Sequence, residues 1–150
     1  MVIAFSSDHA GWRLKAELMA TARARGHEVV DLGVNSDDSV DYPDMAEALA
    51  RALAEGRAQM GVLICGTGIG ISIAANRHRH VRAALCHDVT TARYARLHND
   101  ANVLALGART TGPEVARDCL LTFLDTPFEG GRHARRVAKL SGTPAPAEGA

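Results

Sequence analysis

One run of uninterrupted apolar residues, Met60-Gly61-Val62-Leu63-Ile64-Cys65, restricts the folds open to this chain more than any other segment. Successive side chains of a strand point to opposite faces of the sheet. A strand that is apolar at every position must therefore be covered on both faces, as strands inside a parallel sheet are. Gly66-Thr67-Gly68-Ile69-Gly70 follows directly, and a short helix is predicted over 71–76. The segment therefore indicates a strand, a tight loop and a helix, which is the repeating unit of an α/β fold.

The same alternation of strands and helices recurs along the chain. Further strands are predicted at 2–7, 27–32, 81–86 and 102–106, and helices at 10–25, from Pro43 onward, and at 88–97, 111–125 and 132–140. Such alternation implies a parallel sheet with right-handed crossovers and helices on both faces. We therefore predict a three-layer α/β/α sandwich with a five-stranded parallel, Rossmann-like sheet. In the helix that follows Pro113, the side chains predicted to face inward are Val115, Cys119, Leu120 and Phe123.

A chain of 150 residues is long enough to bury its own core without disulfides or metal. Residues 1–140 are predicted to form a single domain. The remaining ten, 141–150, consist mostly of Pro, Gly, Ala and Ser and are predicted to be disordered.

Charge and cysteine content exclude several classes of partner. The 17 Lys and Arg balance the 17 Asp and Glu, which argues against a general nucleic-acid binder. The start of the chain lacks the pattern of a secretory signal, and no apolar run approaches the length of a membrane span. Cys65, Cys86 and Cys119 form no CxxC motif and are interpreted as reduced thiols. We expect a cytoplasmic protein with no nucleic-acid or membrane partner.

Ligands of open parallel sheets bind at the carboxyl ends of the strands. That rule selects the segments after each predicted strand: Asp8-His9, Gly33 to Tyr42, Cys65 to Gly70, His87-Asp88, and Gly107 to Thr111. Among them, Cys65 stands before a loop whose backbone N–H groups can converge on an oxyanion or a phosphate. It could serve as a base or a nucleophile. The alternative, a small buried apolar residue, is adopted for Cys86 and Cys119.

Other motifs leave two interpretations open. The GxGxG loop resembles a dinucleotide fingerprint only weakly, and Asp88 is more simply a helix cap. His9 and His98 could transfer protons or could be solvated surface residues. Arg132 and Arg136 are four residues apart, so they share a helix face and could grip a phosphate, or could belong to a solvated basic helix. His78 and His80 stand among arginines, and no metal site is expected there.

Five ordered blocks between Ile3 and Leu140 resemble the type B ribose-5-phosphate isomerases, which are similar to galactose-6-phosphate isomerase subunits. They are Ser-Asp-His-Ala-Gly at 7–11, Asp-Tyr-Pro at 41–43, Ile-Cys-Gly-Thr-Gly-Ile-Gly-Ile-Ser-Ile-Ala-Ala-Asn at 64–76, Leu-His-Asn-Asp-Ala-Asn-Val-Leu at 97–104, and Phe-Glu-Gly-Gly-Arg-His at 128–133.

The resemblance implies an aldose-ketose isomerase without metal or cofactor, which interconverts ribose 5-phosphate and ribulose 5-phosphate through a cis-enediolate. It implies that Cys65 is the base, that Thr67 holds the developing oxyanion with the loop amides, that His98 helps to open the furanose ring, and that Asp8 binds sugar hydroxyls or the ring oxygen. Some relatives use a glutamate further along the loop as the base, but residues 69–74 contain no acid here. The substrate-binding residues implied are His9, Tyr42, Gly66, Gly68, Gly70, Asn99, Arg109, Arg132, His133 and Arg136.

The family pattern also implies a homodimer with two shared sites, possibly a dimer of dimers, in which His98, Asn99 and Arg109 come from the neighbouring subunit. The substrate could instead be allose 6-phosphate, galactose 6-phosphate or erythrulose 4-phosphate. A sugar-phosphate-binding regulator without turnover is the alternative from another functional class.

Overall fold

The computed structural model describes residues 1–142, in which five strands form one parallel sheet with the order β2-β1-β3-β5-β4. The strands are β1 (Val2–Ser7), β2 (Glu28–Asp31), β3 (Met60–Cys65), β4 (Ala83–Leu85) and β5 (Val103–Gly107). The predicted parallel α/β sandwich is confirmed. The edge strand β4 is shorter than predicted. Of the predicted disordered tail, Ser141 and Gly142 form a turn, and 143–150 lie outside the described residues.

Helices cover both faces of the sheet. They are α1 (Trp12–Ala24), α2 (Tyr42–Ala54), α3 (Ile69–Ala75), α4 (Val89–Leu97), α5 (Pro113–Asp125) and α6 (Arg132–Leu140). In β3, Val62 and Ile64 join the core under α1, α4 and α5, whereas Leu63 and Cys65 join the core under α2 and α3. The central strand is therefore buried on both faces, as its apolar sequence predicts.

The buried stripe of α5 includes Ala116 and Leu124 but not the predicted Val115. Cys119, Leu120 and Phe123 are fully buried, but Val115 is 42% exposed and the buried position is that of Ala116. One residue corresponds to about 100° of rotation around a helix, which turns Val115 away from the sheet. The prediction that Val115 faces inward is wrong.

The direction of α4 decides where its carboxyl end lies. Asp88 caps the helix by accepting a hydrogen bond from the Thr91 amide at 2.7 Å, as predicted. Because α4 starts after the carboxyl end of β4 and leads into β5, it runs back across the sheet. Its nine residues span about 13 Å. His98, which follows it, is thus at the amino ends of the strands.

Candidate active site

The carboxyl ends of β1, β3 and β5 meet at one edge of the sheet, called here the carboxyl edge. Cys65 pairs with Gly107 across β3 and β5. The amides of Asp8 and Ala108 donate to the carbonyl groups of Ile64 and Cys65 at 3.2 and 2.9 Å. The segments that follow these strands therefore lie side by side. The predicted site residues on this edge are Asp8, His9, Tyr42, Cys65, Gly66, Thr67, Gly68, Gly70 and Arg109.

Cys65 ends β3 with its sulfur turned toward the glycine loop. The Gly68 N–H donates to Sγ over 3.2 Å. A thiolate can accept a hydrogen bond from a backbone N–H. The thiolate, rather than the thiol, is the form of cysteine that can act as a base. Cys65 is only 4% exposed, so little of the side chain is open to solvent in a single chain.

The other two cysteines are buried in the opposite core. Burial raises the pKa of Cys86, and it raises the pKa of Cys119 to about 11. Both thiols therefore stay protonated at neutral pH, in agreement with the interpretation as packing residues.

The glycine loop is shaped by close contacts. Gly68 has φ +78°, and a Cβ there would lie 2.5 Å from Cδ1 of Leu85. A Cβ on Gly70 would lie 2.5 Å from the ring of Tyr42, so the tyrosine covers the loop directly. Thr67 is exposed, and its Oγ1 accepts a hydrogen bond from the Ile69 amide at 3.2 Å. The loop is thus a compact cradle with a hydroxyl at its surface.

Asp8 and His9 follow β1 beside this loop. Asp8 is 7% exposed, and its Oδ1 accepts from the Ala10 amide at 3.0 Å. The Val40 amide donates to Nδ1 of His9 at 3.2 Å. A neutral imidazole that accepts at Nδ1 carries its proton on Nε2, so His9 can present an N–H donor to an anionic ligand.

The segment that carries Val40 is anchored by contacts that sequence reasoning missed. Lys15, fully buried, donates to Asp31 at 2.5 Å and to Asn35 at 2.9 Å. Asp37 accepts from the Trp12 ring N–H at 2.8 Å and pairs with a neighbouring arginine. Burial acts to raise the pKa of Asp31, but hydrogen bonds from Lys15 and the Gly33 amide, together with the Lys15 charge, hold it below its ordinary value. Lys15 lies on the buried face of α1 with Leu14 and Leu18, but lysines are mostly exposed in proteins, so nothing in the sequence indicated this pairing.

Arg109 lies against the glycine loop of its own chain. Its amide donates to the Gly66 carbonyl at 2.9 Å, and a Cβ on Gly66 would lie 3.2 Å from Nη1 of Arg109. The resemblance implied that Arg109 comes from a neighbouring subunit. In a single chain, the register of β3 and β5 brings Arg109 to Gly66, because the two strands end together.

The remaining predicted residues lie at the opposite edge, called here the amino edge. The Glu129 amide donates to the Leu97 carbonyl at 3.0 Å, which brings the start of α6 to the end of α4. The predicted residues grouped here are His98, Asn99, Arg132, His133 and Arg136. A single chain therefore does not bring Arg132 and Arg136 to Cys65. Gly130 and Gly131 lead into α6 beside His98.

His98 and His133 form a stacked pair at this edge. Their ring centroids are 4.3 Å apart, and the ring planes differ by 14°. Glu129 lies beside both rings, with its two oxygens 3.8 Å from Nε2 of His98 and 3.8 Å from Nε2 of His133. His133 is 5% exposed, so its side chain offers little surface to a ligand in this chain. Glu129 belongs to the Phe-Glu-Gly-Gly-Arg-His motif, but no role for it was predicted from the sequence. Its position four residues before His133 is the signal that could have indicated this contact.

Among the described residues, His98, Glu129 and His133 are the group whose arrangement most resembles a metal site. The ligand atoms of His98, Glu129 and His133 all lie within 4.8 Å of one another. An imidazole lone pair lies in the ring plane, and two nearly parallel planes do not converge on an ion between them. The stack must open before both nitrogens could bind one ion at about 2.1 Å. The arrangement is better suited to acid–base chemistry.

A cavity of about 430 Å³ also lies at the amino edge, near the start of β4. Its lining includes Arg77, Arg79, Arg82 and Asn99. The lining of the cavity is therefore cationic. It includes Asn99, the residue after His98, but not Cys65.

Among residues 1–142, no helix has the length and apolar character needed to cross a bilayer.

Comparison with known proteins gives one consistent result. The model of the family described as ribose/galactose isomerase matches residues 3–140. Ribose-5-phosphate isomerase B of Escherichia coli is 46% identical over 139 residues, which cover 93% of this chain and 93% of that protein. The D-erythrulose-4-phosphate isomerase of Pectobacterium atrosepticum is 42% identical, over 92% of this chain and 91% of that protein.

Solved structures agree with these relatives. Ribose-5-phosphate isomerase B of Clostridium thermocellum superposes with a TM-score of 0.93 at 48% identity, covering 95% of this chain and 96% of that chain. The type B enzyme of Trypanosoma brucei superposes with a TM-score of 0.91 at 47% identity, covering 94% and 97%.

Proposed function

The chain belongs to the ribose/galactose isomerase family and is an aldose-ketose isomerase of sugar phosphates, and on this basis we propose that it interconverts ribose 5-phosphate and ribulose 5-phosphate. The observation that carries the proposal is the Cys65 sulfur, held by the Gly68 amide at the carboxyl edge beside Asp8 and His9.

Cys65 acts as the base in this proposal. Its thiolate removes the proton from C2 of the open-chain aldose, the C1 carbonyl oxygen takes up the electron pair, and a cis-enediolate forms. Return of that proton to C1, with transfer of the C2 hydroxyl proton to the C1 oxygen and formation of a carbonyl at C2, gives the ketose. Thr67 and the loop amides hold the oxyanion that develops. Stabilisation of charge that exists only in the transition state contributes most to such a reaction.

The phosphate is gripped at the opposite end of the substrate. His9 presents its Nε2 N–H, and Arg109 lies beside the glycine loop. Arg132 and Arg136 lie on exposed positions of α6 at the amino edge, so they join the site only from a second chain. His98 helps to open the furanose ring, and Asp8 binds the ring oxygen or the sugar hydroxyls. Tyr42 and Asn99 line the sugar pocket.

We therefore propose a homodimer in which the amino edge of one chain completes the carboxyl edge of the other. Ile69 and Ile73 are 51% and 52% exposed and lie one turn apart on α3, next to the glycine loop. Tyr42, 41% exposed, continues this apolar face. An exposed apolar patch at the rim of a site favours a protein contact there. A two-fold axis makes two equivalent sites from one such contact.

The three cysteines are all unpaired, which supports the proposed cytoplasmic location.

Two assays test the reaction. Turnover in deuterium oxide should place deuterium on the carbon next to the carbonyl, whereas a regulator that only binds the sugar phosphate incorporates none. Rates with aldose phosphates of four, five and six carbons then identify the substrate. The Pectobacterium relative favours the four-carbon sugar as the second candidate. A kcat/KM highest for the four- or six-carbon sugar would overturn the assignment to ribose 5-phosphate.

A further inference from the structure

Two side chains of the amino edge lie against His98. His133 stacks on its ring, and the Glu129 carboxylate faces the Nε2 atoms of both rings. Among the described residues, Nε2 of His133 is a buried polar atom with no hydrogen-bond partner.

We propose that Glu129 and His133 are positioning residues for His98: His133 supplies a neutral buried plane against which the ring rests, and Glu129 supplies the negative charge that keeps a proton on that ring. This inference rests on the proposed role of His98 in ring opening and goes one step beyond it.

The stack can hold only one positive charge at low cost. Two imidazolium rings with centroids 4.3 Å apart would repel each other, so protonation of one opposes protonation of the other. Burial lowers the pKa of His133, and the charges of His98, Arg132 and Arg136 act in the same direction, against Glu129. The His98 side chain is 37% exposed against 7% for His133, so a charge on the His98 ring loses less hydration.

The other charged groups near His98 do not replace Glu129. Tyr94 of α4 contacts the ring with centroids 4.8 Å apart, and Arg93 lies over Tyr94. Asp100 is already paired with Arg96 at 2.9 Å and with a second arginine. On α6, Arg132 and Arg136 add positive charge. Among the described acids near this ring, Glu129 is therefore the one whose negative charge can balance a positive charge on His98.

A proton held on His98 is what ring opening requires. The ring oxygen must gain a proton as its bond to C1 breaks, and the anomeric hydroxyl must lose one. A histidine that is held in place and protonated can deliver the first of these protons near neutral pH.

The first experiment follows the His98 ring by NMR as the substrate-free protein is titrated with acid. In Glu129→Gln we expect the His98 midpoint to move to lower pH by about half a unit or more, because an opposite charge is removed. Glu47→Gln is the matched control, since Glu47 pairs with His78 at 2.7 Å, outside the amino-edge cluster. An unchanged His98 midpoint in Glu129→Gln would overturn the role of Glu129.

The second experiment compares His133→Ala with His133→Phe, which restores a flat ring without nitrogen. If His133 is a support, the alanine variant loses about tenfold in kcat with little change in KM, and phenylalanine recovers most of the loss. If His133 binds the phosphate, both variants raise KM by about tenfold, and the inference is overturned. Should His133→Ala not fold, His133→Phe is sufficient by itself. Values of kcat and KM near those of the wild type would support the inference, and a KM about tenfold higher would overturn it.

Failure of the proposed function is distinguishable from failure of this inference. The NMR titration needs no substrate, so a protein that does not convert ribose 5-phosphate could still show the dependence of His98 on Glu129.

Discussion

His98 and Cys65 lie at opposite edges of the sheet of one chain. Cys65 ends β3 at the carboxyl edge, whereas His98 follows α4, which runs back to the amino edge. No rearrangement of side chains can bridge the sheet. A site that uses both residues must therefore combine two chains, with Cys65 from one and His98 from the other.

Mixing two inactive variants tests this sharing directly. In a hybrid of Cys65→Ala and His98→Asn chains, one site has both residues intact and the other has neither. After random reassociation about half of the dimers are hybrids, so we expect about a quarter of wild-type activity to return. The control is to mix each variant with itself, which should restore nothing. Absence of recovery from a mixture shown to contain hybrids would place the site within one chain.

Cys65→Ala should abolish isomerisation without abolishing binding. Loss of a general base costs about 10³-fold in kcat, while the contacts to the phosphate remain. The measurements are ketose formation and calorimetric titration with ribose 5-phosphate. Cys86→Ala is the matched control, since that thiol is buried in the opposite core and should be dispensable for turnover. Turnover near the wild-type rate in Cys65→Ala would remove Cys65 as the base.

Arg132→Ala should raise KM for ribose 5-phosphate by about tenfold, because one charge-assisted hydrogen bond to the phosphate is lost. Arg117→Ala is the control, since Arg117 is an exposed cation on α5, a helix that carries no residue of the proposed site. Steady-state kinetics of the two variants measure the difference. Equal KM values for both variants and the wild type would mean that α6 is a solvated basic helix.

Gly68→Ala should disrupt the loop that holds the Cys65 sulfur. The added Cβ would lie 2.5 Å from Leu85 Cδ1 and 2.8 Å from the carbonyl carbon of Leu106, at a φ of +78°. Gly56→Ala is the control, because its φ is +73° but no atom lies within 4 Å of the added Cβ. We expect Gly56→Ala to cost about 1 kcal/mol of stability and no activity. A Gly68→Ala variant with wild-type kcat would contradict the tight loop.

Asp31→Asn should lower the free energy of unfolding, because it leaves the fully buried Lys15 ammonium without its anionic partner. The Asp31 side chain is 29% exposed, so we expect about 2 kcal/mol, less than for a fully buried pair. Urea denaturation at pH 7 measures the loss. Lys15→Met, which removes the buried charge itself, should cost less, and the reverse order would contradict this account.

The same pair predicts a dependence on pH. The folded-state pKa of Asp31 is lower than its ordinary value of 3.8. A depressed carboxyl pKa adds stability above the unfolded-state pKa, and this stability is lost as the pH falls through the folded-state value. Wild type and Asp31→Asn should therefore differ above about pH 4 and converge in stronger acid. A difference that persisted unchanged below pH 3 would contradict the assignment.

Local patterns in the sequence were sufficient to predict the secondary-structure elements and the family. The apolar run at 60–65 predicts β3, and the alternation of strands and helices predicts the parallel sheet, because both depend on burial within a few residues of the chain. The motifs around Cys65 and His98 likewise indicated the family to which the chain belongs.

Which residues share an edge was decided only by the tertiary structure. The path of α4 separates His98 from Cys65, the register of β3 with β5 brings Arg109 to Gly66, and the return of the chain after α5 stacks His133 on His98. The contacts of Glu129 with the two histidines and of Lys15 with Asp31 were decided in the same way. Each of these relationships joins residues far apart in sequence, and such contacts depend on the packing of whole elements, which no local periodicity encodes.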